Sequence, residues 1–296
     1  REKKTFDWWL KLYASRLFRL APLYIFMLLT LVFLVAMESN WNLKVPLSQA
    51  TRSILTWLAF TIGGQPDINK LPGTSIIVAR VPWSLVYELI FYSSLPIIAF
   101  TLKIPKILNY SLLTLALTYF IYTKKYFYLS FCGGISAALM FDAPALKYFA
   151  KTPVASCSII ALIALLIFKF PDAYKPIPIL LIGLIFLLIT AGNSLFGILT
   201  SRLSRIFGEM AYSIYLIHGL LLFIAFGVMD IPSAHQDVLT HWQVVWCISP
   251  FLIGVSYLTH AWIEKPPMDW YRTIFKHAAN KGDSPLVPLG AAKGAN

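Results

Sequence analysis

Apolar runs of roughly 16–22 residues recur along this chain, the length at which an α-helix crosses the hydrocarbon core of a bilayer. Only helices and closed barrels satisfy every backbone N–H and C=O inside lipid. Runs of this length therefore predict an all-α fold, a polytopic transmembrane helical bundle. Only 13% of the 296 residues are charged and the mean hydropathy is +0.70, whereas a soluble domain carries about 25% charge. Many of the Trp and Tyr residues fall near the ends of the runs, where amphipathic rings prefer the membrane interface.

Nine apolar segments are found, at about 20–37, 51–63, 82–102, 107–123, 126–141, 153–170, 177–193, 206–228 and 242–263. The second, closed by Gly63-Gly64, is too short to cross and reads as interfacial or re-entrant. About eight spans remain. With residues 1–19 in the cytoplasm, alternation puts 17 of the 25 Lys and Arg on the cytoplasmic side and 8 on the other. This bias predicts that both ends lie inside, and the expected location is the inner (cytoplasmic) membrane. A ninth span would export the basic C-terminal tail. The expected organisation is a basic lead-in over 1–19, one membrane domain over 20–263, and a cytoplasmic tail over 264–296, disordered from about 281.

The net charge of +12 is spread over short loops and the two ends. That distribution suits membrane topology and contact with anionic lipid headgroups, and it argues against nucleic acid. Cys132, Cys157 and Cys247 lie in apolar runs without metal-ligand spacing, and they read as small buried apolar residues with no metal. Gly133-Gly134 with Ala137-Ala138 places small residues at i,i+4 twice, a signature of close helix packing.

Four polar elements interrupt this background. Arg16 and Arg19 share a helix face at the mouth of the first span. They read either as a positive-inside anchor or as a pair of guanidinium forks for phosphate. Glu88 lies six residues inside a span whose interface is marked by Pro82 and Trp83. An intramembrane carboxylate is a functional residue by default, although a packing pair with Arg or Tyr is the alternative. Glu209, Tyr212, Tyr215 and His218 follow one helical stripe, and His218 sits about 18 Å from its cytoplasmic start. It reads equally as a proton-transfer group or as a bundle histidine. Glu264-Lys265-Pro266-Pro267 ends the last span; Pro is expected to stop the helix, and Glu264 to hold a nearby Lys or Arg.

These four elements, in this order, resemble the acyltransferase 3 family of integral-membrane O-acyltransferases. Arg16 to Pro22 resembles its R-x-x-R-x-x-P element. Trp83-Ser84-Leu85-Val86-Tyr87-Glu88 with Phe91-Tyr92 resembles W-S-L-x-x-E-x-x-F-Y. Gly208 to His218 resembles G-x-x-S-Y-x-x-Y-L-x-H, with Ala211 where the family often has Ser. Glu264-Lys265-Pro266 resembles E-x-P. The family begins with a helix carrying an Arg and, ten or so residues on, a His assigned to catalysis. No such helix precedes Arg1, so the chain is expected to be cut short by the first two of the family's ten spans.

The resemblance implies transfer of an acyl group, acetyl above all, from acyl-CoA (acetyl-CoA) to a hydroxyl of a cell-envelope carbohydrate or lipid-linked sugar. It implies that Arg16 and Arg19 bind the donor's phosphates and that Glu88 orients or activates groups near the reacting centre. It implies that the missing N-terminal His is the general base or acyl carrier, without which the fragment itself is expected to be inactive. Within this chain Glu88 and His218 are the catalytic candidates, His218 also lining the passage. Trp83, Ser84, Tyr212 and Tyr215 would line the substrate passage, with no metal. The rival classes are a transporter or flippase using the same polar residues as its path, and a non-catalytic protein of acyltransferase-like build.

Overall fold

The computed structural model describes residues 6–101, 128–229 and 238–282, with isolated positions between 115 and 126. Among these residues the regular structure is helical throughout. The elements are α1 (Phe6–Glu38), α2 (Leu47–Leu58), α3 (Thr74–Ile77), α4 (Trp83–Thr101), α5 (Tyr128–Met140), α6 (Pro144–Ala150), α7 (Pro153–Lys169), α8 (Pro176–Thr190), α9 (Arg202–Phe223), α10 (Val238–Thr259) and α11 (Lys265–Gly282). π-helical turns follow α9 at Ile224–Val228 and join α10 to α11 at His260–Glu264.

Seven of the eight expected spans coincide with helices; most of 107–123, and the tail beyond 282, lie outside the described residues. Among the described residues four helical stretches are long and apolar enough to cross a membrane: α1, α4, α9 with its π turn, and α10 continuing into α11. α5 and α6 are bent by 107° and make at most one broken span, and α7 and α8 have 17 and 15 residues. These helices leave large apolar side chains such as Leu29, Phe100, Phe168, Leu180 and Trp246 uncovered by protein. Such a surface suits hydrocarbon, not water.

Contacts divide the chain into two units, one comprising residues up to Glu88 and from Met210 on, the other Leu89–Glu209. In the first, α1 supplies Leu23, Met27, Leu31 and Leu34 at helical spacing to a core shared with Trp57, Val78, Val81, Leu216 and Leu220. The Tyr24 hydroxyl donates to the Trp57 carbonyl at 2.6 Å, and Phe60 stacks on the Tyr24 ring at 4.5 Å. These contacts bring the C-terminal end of α2 to the middle of α1, so α2 folds back along it. The short second segment forms a helix over 47–58, with Pro46 at its N-cap position, and residues 59–63 leave the helix as turns.

α9 crosses the Val78–Val81 turn at Gly219. A Cβ built there would lie 2.4 Å from the Val78 carbonyl carbon and 2.7 Å from the Ala79 nitrogen. Only glycine permits this backbone-on-backbone approach. Ala79 and Arg80 both have positive φ, 48° and 57°, and Val81 N–H donates to the Val78 carbonyl at 3.0 Å, which closes a type I′ turn without glycine. The packing on α9 holds a turn that the residues do not favour.

In the second unit α5 packs on α8 through Gly133, whose built Cβ lies 3.6 Å from the Gly183 Cα. One of the two small-residue pairs, Gly133/Ala137, makes this contact; Ala138 of the other is exposed. Asn193 ties three segments together, donating to the Ala150 carbonyl at 2.6 Å and to Ser156 Oγ at 3.0 Å. Cys157 and Cys247 are exposed and Cys132 is half-buried, contrary to the expected burial. A thiol is apolar enough to stand on a lipid-facing helix surface as well as in a core.

Pro266 and Pro267 do not end the last helix. They lie in the first turn of α11, where a missing N–H costs little, and the π turn before them has already shifted the hydrogen-bond register. α11 then packs on α1, with Phe18 against Trp270 and Tyr271, and the Tyr271 hydroxyl donating to the Lys11 carbonyl at 2.6 Å.

Gly219→Ala is expected to lower stability in detergent by about 1–3 kcal/mol, the usual cost of overpacking. Gly208→Ala, where a Cβ meets no atom within 4 Å, serves as the control and should leave the melting temperature unchanged or raise it. Equal melting temperatures for the two variants would contradict the close crossing.

Candidate functional site

The candidate residues of the first unit are organised by one stretch of α9. Residues 212, 213 and 215 point to three sides of the helix, since successive side chains turn by about 100°. The Tyr212 hydroxyl donates to the Leu20 carbonyl of α1 at 2.9 Å. Ser213 Oγ donates to Glu264 Oε2 in the π turn at 2.8 Å. The Tyr215 hydroxyl lies 3.1 Å from the Val81 carbonyl, just before α4, and 2.6 Å from Ser84 Oγ. Ser84 Oγ is itself 3.4 Å from that carbonyl. Two hydroxyls thus share one backbone acceptor, and between them they hold α9 to the start of α4.

Glu88 is one turn beyond Ser84 on α4, as Tyr212 is one turn before Tyr215 on α9. Arg19 precedes the Leu20 carbonyl that Tyr212 binds. Pro22, which has no N–H, leaves the Phe18 carbonyl without its helical donor beside Arg19. Arg16 and Arg19 are both half-buried, with Arg16 Nε shielded from solvent.

His218 is half-buried one turn beyond Tyr215, the two rings 6.1 Å apart. Its Nδ1 lies 3.3 Å from the Ile214 carbonyl on its own helix. A carbonyl only accepts, so this contact puts the proton on Nδ1 and leaves Nε2 as the basic nitrogen. Trp83 opens α4 with 36% of its surface exposed and its ring edge on Tyr87 at 5.6 Å. It stands at the start of α4, one residue before Ser84. Glu209 is exposed.

Sequence reasoning gave Glu264 a nearby Lys or Arg as its partner. In the structure Glu264 is 1% exposed and its Oε2 accepts from both Ser213 Oγ and His260 Nδ1, the latter at 3.0 Å. Ser213 and His260 were not singled out. The signals available were the i,i+4 spacing of His260 and Glu264 and the position of Ser213 inside the tyrosine stripe. Among the described residues no group of three or more His, Cys, Asp or Glu converges as a metal site.

A double-mutant cycle on Ser84→Ala and Tyr215→Phe is expected to give a coupling of about 0.5–1.5 kcal/mol in unfolding free energy, because each hydroxyl orients the other. Additivity within about 0.3 kcal/mol would contradict the shared acceptor.

Comparisons with curated proteins and with solved structures gave no match. The model of the acyltransferase 3 family, described as an acyltransferase domain, matches residues 4–261, a stretch that includes Arg16, Arg19, Ser84, Glu88, Tyr212, Tyr215 and His218. The chain belongs to the acyltransferase 3 family, whose members are transferases of acyl groups.

Proposed function

We propose that this protein transfers an acyl group, acetyl in the first instance, from acyl-CoA to a hydroxyl of a cell-envelope carbohydrate or lipid-linked sugar. The observation that supports this reading most is the pair of α9 hydroxyl contacts, Tyr212 on the Leu20 carbonyl beside Arg19 and Tyr215 with Ser84 one turn before Glu88. A cation pair on one helix beside a carboxylate on another gives a polar passage two chemically distinct ends. The Arg16 and Arg19 forks match the pyrophosphate of an acyl-CoA, and they lie on the side where the charge bias places the cytoplasm. Both ends of the chain are cytoplasmic in this reading, and the membrane is the inner one.

Acyl transfer to a hydroxyl needs three things: a positioned thioester, an oriented acceptor, and a group that takes the acceptor's proton. The acceptor oxygen attacks the thioester carbonyl, the carbon–sulfur bond breaks, and the thiolate of CoA recovers a proton. Glu88 orients or activates the acceptor as a hydrogen-bond acceptor of fixed charge. His218, with Nε2 left basic, moves a proton. Ser84, Tyr212 and Tyr215 line the route between the two, with Trp83 at its margin. Their hydroxyls are pre-oriented by backbone acceptors, so little ordering remains to be done when substrate binds.

Glu88→Gln keeps shape and removes charge. In proteoliposomes supplied with labelled acetyl-CoA and a hydroxyl acceptor, it is expected to lower transfer by about 10²–10³-fold, the range for losing one pre-organised electrostatic contact. The melting temperature should stay within a few degrees of wild type. A variant that is active but markedly less stable would show that Glu88 is a packing carboxylate whose removal exposes an unpaired cation.

A further inference from the structure

Glu264, with Ser213 and His260, forms a buried polar group to which the reading above gives no part. From this geometry we infer that Glu264 is a positioning residue for acyl transfer, acting through Ser213 to set the rotation of α9 and so the placement of Tyr212, Tyr215 and His218; the inference rests on the acyl-transfer reading.

The argument starts from the cost of the arrangement. A carboxylate held at 1% exposure is kept only if its acceptor capacity is used. Here one oxygen, Oε2, takes two donors, Ser213 Oγ at 2.8 Å and His260 Nδ1 at 3.0 Å. The His260 donor comes from four residues back on the same π turn, so it fixes the Glu264 rotamer. The Ser213 donor comes from another helix, so it is the bond that couples the turn to α9. A π turn carries one extra residue per cycle, which rotates all that follows relative to a plain α-helix.

The position of Ser213 within α9 makes this coupling specific. Tyr212 and Tyr215 fix α9 against α1 and against the start of α4. Ser213 fixes it against the third neighbour. Two anchors still allow a small roll about the line joining them, and a third removes it. A roll of a few degrees displaces a hydroxyl several ångströms from the helix axis by a few tenths of an ångström. Proton transfer and nucleophilic attack are sensitive to displacements of that size. Ser213 follows Tyr212 directly in α9, so the Glu264 bond and the Tyr212 bond act at one level of the helix.

The test uses four variants of the whole protein in nanodiscs. Glu264→Met and Ser213→Ala remove the acceptor or the donor. Glu264→Gln and Ser213→Thr keep them, since an amide oxygen still accepts two bonds. Each variant is measured for kcat, for KM with acetyl-CoA, for melting temperature, and for hydrogen exchange over residues 209–220. Glu264→Met and Ser213→Ala are expected to lower kcat at least tenfold with an unchanged donor KM. They should speed exchange in 209–220, and Ser213→Ala should melt within a few degrees of wild type. Glu264→Gln and Ser213→Thr should restore kcat to within about threefold. An active wild type whose Ser213→Ala variant keeps kcat and exchange unchanged would overturn the inference alone. So would a kcat loss that follows melting temperature and is not restored by the conservative variants. A wild type that transfers no acyl group would overturn the acyl-transfer reading, and the inference with it.

Discussion

Three hydroxyls within four residues of α9 find their acceptors on three different neighbours, and the rest of the first unit depends on that. Inside a membrane an unpaired hydroxyl has no water to fall back on. Tyr212, Ser213 and Tyr215 are therefore committed to the Leu20 carbonyl, Glu264 and the Val81 carbonyl. Two of these acceptors are backbone atoms, so the contacts fix whole helices and not only side-chain rotamers. The glycine contact at 219 brings α9 and the Val78–Val81 turn together four residues further on, where no side chain fits between them.

The polar layer and the apolar core divide α1 between them. Arg16, Arg19 and the Leu20 carbonyl lie on the N-terminal side of the division; Leu23, Met27, Leu31 and Leu34 lie beyond it. The core locks α1, α2 and α9 by shape. The polar layer is held by directed hydrogen bonds in a low-dielectric setting, where each is stronger than in water. A rigid apolar scaffold beside a pre-oriented polar passage is the condition under which proton transfer and charge stabilisation cost little reorganisation.

Much of this was legible in the sequence, for identifiable reasons. Run length and the scarcity of charge announce membrane helices, and the short 51–63 run announces a segment that does not cross. Arg16, Arg19, Glu88 and His218 stand out because charge and imidazole are rare in apolar runs. Other features are set by tertiary context. Ser213 looks like any helix serine until the π turn brings Glu264 to it. Pro266 and Pro267 look like a stop until that turn places them where no N–H is needed. The lengths of α5, α7 and α8 are decided by bends and prolines that hydropathy averages over. Gly219 carries no local signal, because its need for a bare Cα comes from Val78, 141 residues earlier in the chain.

The central claim is that donor and acceptor meet within the layer formed by α1, α4 and α9. An experimental structure of the protein in a nanodisc with a non-hydrolysable acetyl-CoA analogue tests it most directly. The account predicts density for the donor's pyrophosphate at the Arg16 and Arg19 guanidinium groups, with the Tyr215 hydroxyl on the Val81 carbonyl and the acyl end directed toward Glu88 and Tyr212. Donor density elsewhere on the protein, or a Tyr215 hydroxyl turned away from Val81, would contradict it.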